Sequence, residues 1–193
     1  MLLNLQEEKT DPRVRRTRQL LEQAFMEAIQ SKGFHAISVQ DITEKAGVNR
    51  ATFYAHFADK YALLDYSIQH RFRQEIEKRM LNACHFSMEN LRQLIITVCE
   101  FVEGANSHCS PTDPQFESLA ETQVKEQVRE LLQNWVEQTE SCSEPQIAAT
   151  AASWAIYGLA LDWSRDKKHS PAEEFAGRVL PLIASSLQFQ QPA

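Results

Sequence analysis

The sequence predicts an all-α protein made of a three-helix head and a helical-bundle body. Three observations carry that expectation. Only five glycines and seven prolines occur in 193 residues, of which 43% are hydrophobic, so helix breakers are few and apolar side chains suffice for a core. Apolar residues recur at spacings of three and four through most of the chain, the period of a helix with one buried face. Helix-starting residues stand where those stretches begin: Asp11-Pro12, Ser38, Asn49, Asp59, Ser87, Asp113-Pro114 and Ser170-Pro171. Asp, Asn and Ser accept from free backbone N–H groups there, and proline presets φ.

Residues 1–10 are expected to form a loose tail. Asp11-Pro12 opens the first helix, in which Val14, Thr17, Leu21, Ala24, Phe25, Ala28 and Ile29 follow helical spacing up to Gly33 as C-cap. Arg13, Arg15, Arg16 and Arg18 crowd its first turns, where the helix dipole favours acids. Phosphate contact explains that cluster, and a solvated charged face is the plainer alternative. Phe34 and Ile37 are expected to fold back on the head. Ser38 caps the second helix, and Asp41 three positions on completes a capping-box pattern. Val39, Ile42 and Ala46 give that helix one apolar face. Gly47 supplies the positive φ of a tight turn, Val48 fills the angle, and Asn49 caps a short third helix near 50–56. Phe53 and Phe57 face inward along it, which leaves Arg50, Ala51, Thr52, Tyr54 and His56 off that line. A short helix with basic, polar and aromatic outward residues, entered through a tight turn, suits a DNA major groove.

The stretch AGVNRATFYAHFADKYALL, residues 46–64, resembles the recognition segment of the tetracycline-repressor (TetR) family of bacterial transcription regulators. The resemblance covers about residues 11–66. Asn49 stands where that family usually has serine, which keeps the cap, and Ala51 stands where glycine is common. The resemblance implies a helix-turn-helix DNA-binding head over residues 11–58 and a ligand-binding and dimerisation body over 59–193. It also implies that Lys60, in the first turn of the fourth helix, binds a phosphate together with free backbone amides. The expected DNA surface is Arg13, Arg16, Ser38, Asn49, Arg50, Ala51, Thr52, Tyr54, His56 and Lys60. Within it Arg13, Arg16, Tyr54, His56 and Lys60 suit phosphates, and Arg50, Ala51 and Thr52 suit base edges, with Arg50 able to read guanine through two hydrogen bonds.

The body continues with a helix over 60–83 carrying Tyr61, Leu64, Ile68, Phe72, Ile76 and Met80, long enough to act as a lever. Ser87 caps a helix over 88–104, and GANSHCSPTDP, 104–114, reads as a loop. Periodicity resumes at Asp113-Pro114 and runs past Trp135 and Val136 with no sure break, although the family usually has two helices in this zone. An Ala-rich helix follows over 145–164, then a last helix over 171–187 that starts at Ser170-Pro171-x-Glu173 and contains Pro181. Large or mixed-polarity residues from separate helices, Phe72, His85, Cys99, Phe101, Phe116, Trp135, Trp154 and Tyr157, are the expected lining of a pocket for an unidentified small-molecule effector. A solid core is the plainer alternative. The Ala-rich helix is apolar on more than one face. Ala155, Leu159 and Trp163, with Val179 and Ile183 of the last helix, are therefore the expected homodimer interface.

The formal net charge is −6, which by itself argues against a nucleic-acid partner. Its distribution reverses that: residues 9–60 hold nine Lys/Arg against six Asp/Glu, a net of +3, and the remainder eleven against twenty, a net of −9. A basic head on an acidic body turns the head toward phosphate. Of the four cysteines, Cys84, Cys99, Cys109 and Cys142, no two have CxxC spacing, and reduced thiols are expected. Cys84-His85 and His108-Cys109 are suggestive of metal, but neighbours on a helix diverge by about 100°, so no metal and no cofactor is assigned. The start, MLLNLQEEKT, has too short an apolar run for a secretory signal. The longest uncharged run, residues 145–161, is too short and too rich in Ala, Ser and Thr to span a membrane. A cytoplasmic protein without membrane contact is expected. No P-loop, GxGxxG, GxSxG or HExxH occurs, so an all-helical enzyme is the weakest reading and no catalytic residue is assigned. A helical protein-interaction module without DNA binding is the main alternative to a regulator bound to an operator in double-stranded DNA.

Overall fold

A computed structural model describes residues 11–79, 85–108, 114–139 and 142–187, with the side chains of 105–108 and 114–116 left aside. The expected tail 1–10, Met80, Cys84, Cys109 and the side chains of His108 and Phe116 lie outside that description. The described residues form eight helices: α1 Pro12–Lys32, α2 Val39–Ala46, α3 Arg50–His56, α4 Lys60–Arg79, α5 Met88–His108, α6 Pro114–Thr139, α7 Pro145–Arg165 and α8 Ala172–Ser186.

The helix starts in the head follow from side-chain caps. Asp11 Oδ1 accepts from Arg13 N at 2.8 Å, ahead of Pro12 in the first turn. Ser38 and Asp41 complete a reciprocal capping box: Asp41 N donates to Ser38 Oγ at 3.2 Å and Ser38 N to Asp41 Oδ2 at 2.8 Å. Asn49 Oδ1 accepts from Thr52 N at 2.7 Å. Asp59 Oδ1 accepts from Tyr61 N and Ala62 N at 2.9 and 2.8 Å. Each such cap is worth about 1 kcal/mol. Gly47 closes α2 in the left-handed region at φ 67°, where a side chain would be strained.

Two apolar cores result, and α4 belongs to both. Leu21, Phe25 and Ile29 of α1, Ile42 of α2, Phe53 of α3 and Leu63, Leu64 and Ile68 of α4 form the head core, which Ala120 of α6 joins. Phe72 and Ile76, further along α4, enter the body core with Leu94, Val98, Leu131, Trp135, Ile156 and Ile183. Phe101 packs against both cores. A part-buried polar pair ties α1 to α4: His70 Nδ1 lies 2.8 Å from Glu22 Oε2, and the His70 ring stacks on Tyr66 at 5.4 Å between centroids.

Two details differ from expectation, the end of α5 and the start of the last helix, while the unbroken α6 agrees with it. Helix α5 runs past Gly104 to His108; that glycine has no positive φ and its surroundings are open, so nothing stops the helix there. Helix α6 is a single unbroken element from Pro114 to Thr139. The last helix is capped one position later than expected: Pro171 is its N-cap with no side-chain bond, and its carbonyl receives Phe175 N. The Ser170 carbonyl instead accepts from Trp163 Nε1 at 2.9 Å. Among the described residues no helix is long and apolar enough to cross a membrane, and no group of three His, Cys, Asp or Glu is placed to hold a metal.

Burial pushes the Cys99 thiol up to about 12, with Glu100 and Glu103 adding to the effect. At pH 8 its thiolate fraction is on the order of 10⁻⁴. Iodoacetamide should therefore leave Cys99 unmodified in the native protein, and peptide mapping should find it labelled only in denaturant. Labelling at Cys99 under native conditions would show that this core opens.

Candidate nucleic-acid interface

The outward face of α3 is built by what the inward face does. Phe53 and Phe57 are buried, 6.0 Å apart between centroids, and fix the rotation of the short helix. Arg50, Ala51, Tyr54 and Ala55 are then exposed, Thr52 and His56 half-buried. Tyr54 is 51% exposed and meets the edge of Phe53 at 5.5 Å, so its ring is braced while its hydroxyl end faces outward. Arg50 carries no ion pair among the described contacts, and its fork is available for a base edge or a phosphate.

Two residues expected at DNA spend their polar atoms locally. The Ser38 hydroxyl donates to Asp41 Oδ2 at 2.6 Å, and the Thr52 hydroxyl donates to Asn49 Oδ1 at 3.0 Å. Asn49 and Ser38 thus hold helix starts, and the Thr52 hydroxyl proton is engaged within the turn. Asp41 is also ion-paired with Lys32 of α1. That lysine and the Ser38 groups hold its carboxyl well below the usual carboxylate range, so Asp41 stays charged.

At the base of α1, Arg13, Arg15 and Arg16 are exposed, as a phosphate-facing cluster requires. Arg18, one turn further, does something the sequence did not signal. Its guanidinium lies over Tyr66 at 5.4 Å and Phe57 at 5.9 Å, which joins α1 to the end of α3 and to α4. Its charge, after desolvation, also holds the His56 imidazole below its ordinary value of 6.5. That shift favours the neutral imidazole in the free protein.

Lys60 departs from the expectation of a free phosphate ligand. Its ammonium donates to the carbonyls of Phe34, His35 and Ile37 at 3.0, 3.3 and 3.0 Å. It also lies over the Phe34 ring at 4.7 Å. The charge is directed into the α1–α2 connection instead of outward.

The residues expected to line a pocket are not brought together as one set. Phe72, Cys99 and Trp135 are fully buried, and Tyr157 is 7% exposed, all in the body core. Phe101 meets Phe72 edge-on at 5.0 Å. His85 is exposed, and Trp154 is 62% exposed; neither lines an interior. Trp154 faces out of α7 because Ile156, Tyr157 and Ala160 take the inward positions. It borders an open groove of about 640 Å³ with Arg129, Ile147 and Ala151, and Lys125 Nζ sits 4.0 Å over its ring.

The interface expectation needs a similar correction. Trp163, Val179 and Ile183 are buried in the subunit's own core at 6%, 5% and 2% exposure, so they cannot face a second copy. Ala155 and Leu159 are half-buried. The apolar side chains that α7 and α8 leave outside are Ile147, Trp154 and Leu182. Helix α7 is apolar nearly all round, so sequence could not tell its inner from its outer face.

The family model described as bacterial regulatory proteins, tetR family, matches residues 20–66. YxbF of Bacillus subtilis (strain 168), an uncharacterized HTH-type transcriptional regulator, is 45% identical over 64 residues, 33% of this chain and 17% of that protein. DhaS of Lactococcus lactis, an HTH-type transcriptional activator of the dhaKLM operon, is 30% identical over 80 residues, 42% of this chain and 41% of that protein. The match spans less than half the length of either relative. A solved TetR-family regulator of Streptomyces coelicolor has a TM-score of 0.62 at 15% identity over 92% of this chain and 97% of that one. The regulator FadR from Bacillus subtilis, solved in complex with stearoyl-CoA, has a TM-score of 0.57 at 18% identity over 87% of this chain and 98% of that one. At such identities the likeness is one of fold. Residues 20–66 thus match the tetR family of bacterial regulatory proteins, and the chain shares its all-α architecture with solved regulators of that family.

Proposed function

We propose that the chain is a dimeric repressor that binds an operator through α3 and is released by a small-molecule effector held in the body. The observation that carries the DNA reading is the outward face of α3, with Arg50, Ala51 and Tyr54 exposed on a helix locked by Phe53 and Phe57. Arg50 is the base reader, and Arg13, Arg16, Tyr54 and His56 contact phosphates. The +3 head and −9 remainder support an orientation in which the body stays away from the duplex.

One observation supports an effector in the body. Gln127 of α6 is 2% exposed, and neither its amide nitrogen nor its amide oxygen has a partner among the described residues. An unsatisfied buried polar group costs about 1–3 kcal/mol, and a ligand with a matching donor and acceptor would offset that. The acidic body favours a neutral or cationic effector. FadR, which shares the fold, was solved with stearoyl-CoA; that supports ligand binding by bodies of this shape without giving the ligand here. DhaS is named an activator, and the direction of regulation is read by transcription from the bound promoter with and without the protein.

For the dimer, the outer residues Ile147, Trp154 and Leu182 are the surface for a second copy, paired across a two-fold axis. A helical protein-interaction module lacking DNA binding is the competing reading, and enrichment of specific fragments from the source genome separates the two.

Four outcomes are expected. Arg50→Ala costs about 1–3 kcal/mol on the best fragment and broadens the sequences bound; a variant that keeps the wild-type preference would show that Arg50 reads no base. A phosphate beside His56 would raise a pKa that desolvation and Arg18 hold down in the free protein. DNA affinity should therefore rise as pH falls from about 8 to about 6, and a wild-type profile indistinguishable from that of His56→Gln would remove His56 from the contact. Leu182→Asp gives helical monomers by sedimentation, whereas Val179→Asp buries a charge in the subunit core and unfolds it; a dimer of unchanged mass for Leu182→Asp would exclude this face. Gln127→Met raises the melting temperature of the free protein by removing an unpaired amide, and a lowered one would mean that the amide is satisfied.

A further inference from the structure

We infer that Lys60 is a positioning residue for DNA binding, one that fastens the start of the helix-turn-helix to the start of α4 and keeps its ammonium on protein carbonyls in the DNA complex. Lys60 is the first residue of α4, where the amide dipoles make a cation unfavourable. The structure offsets this by bringing three acceptors to one ammonium: the carbonyls of Phe34, His35 and Ile37 at 3.0, 3.3 and 3.0 Å. An ammonium has three N–H donors, so this set matches its full capacity. The Phe34 and Tyr61 rings, at 4.7 and 5.8 Å, add faces to the same charge. Tyr61 in turn meets Phe34 edge-on at 5.2 Å, and Phe34 is 4% exposed. Taking the ammonium to a phosphate would strip three carbonyls at once, two of them in part-buried bonds.

The placement gives the contact its consequence. The residues it holds, 34–37, lead directly into Ser38, whose capping box sets the first turn of α2. On the other side Lys32 of α1 is paired with Asp41 of the same box. The first turn of α2 is therefore held by two lysines, one from α1 and one from α4. A shift of α4 along or about its axis is passed to α2, and through the Gly47 turn to α3, by this contact. Arginine is a poor substitute, because a planar fork cannot place one compact charge among three converging carbonyls.

The test uses the full-length protein and two variants, Lys60→Met and Lys60→Arg. Amide hydrogen exchange is measured on free protein, and affinity for sonicated mixed-sequence duplex DNA is measured across salt concentrations. In the free protein Lys60→Met should raise exchange at residues 38–46 by about tenfold, with the amides of α5–α7 unchanged, as the loss of roughly one net hydrogen bond's worth of local stability requires. A purely global loss of stability would move all of them together. On DNA, Lys60→Met should weaken binding by the same factor at every salt concentration, and Lys60→Arg should resemble it although it keeps the charge. Unchanged exchange at residues 38–46 in Lys60→Met overturns the inference. So does a slope of log affinity against log salt that falls by about one unit in Lys60→Met and is restored in Lys60→Arg, since that is the signature of a phosphate contact. Only the DNA arm rests on the head binding DNA; if no duplex is bound, the exchange arm still decides whether the clamp exists.

Discussion

One helix serves two cores, and the rest of the molecule depends on that. Leu63, Leu64 and Ile68 of α4 are shared with α1, α2 and α3, while Phe72 and Ile76 are shared with the body. The helix cannot move relative to the head without disturbing apolar contacts there, nor relative to the body without disturbing Phe72 against Phe101. Cores packed at native density resist gradual deformation and favour discrete alternatives. The Glu22–His70 contact and Arg18 over Tyr66 hold α4 to α1, and Lys60 holds its first turn to the entrance of α2. Under the proposed function, a change of packing in the body would reach the head through α4.

The recognition surface is made stiff by cheap local means. Helix α3 has only seven residues, too few for helix propensity to matter in isolation. It persists because Asn49 caps its start, Gly47 provides the turn, and Phe53 and Phe57 bury its inner side. What remains outside can be exchanged without touching the fold. Arg50, Ala51 and Tyr54 can therefore vary without disturbing the fold, and under the proposed function Arg50 and Ala51 would face base edges and Tyr54 a phosphate.

Much of this was legible in the sequence because it is local. Caps lie within three residues of what they cap, so Ser38 with Asp41, Asn49 with Thr52 and Asp59 with Ala62 were readable directly. The head's inward residues followed from spacing. What sequence could not supply depends on which distant groups meet. Lys60 binds backbone carbonyls 23–26 positions away, and a carbonyl leaves no mark in the sequence. Glu22 and His70 are 48 positions apart. In α7, Ile156, Tyr157 and Trp163 turn inward and Trp154 outward, a choice that a helix apolar on every side does not announce. The same ambiguity misplaced Trp163 at an interface. Ser170 looked like a cap, but Pro171 takes that place and the helix begins at Ala172, while the Ser170 carbonyl accepts from Trp163.

The central claim is that two copies of this head read two half-sites on one duplex. Hydroxyl-radical footprinting of the full-length protein on a genomic fragment that it enriches tests this most directly. Two protected patches on one face of the duplex, their centres about one helical turn or roughly 34–36 Å apart, or a whole multiple of that, are the predicted result. Uniform protection without a boundary, or a single patch that persists at saturating protein, would contradict the account.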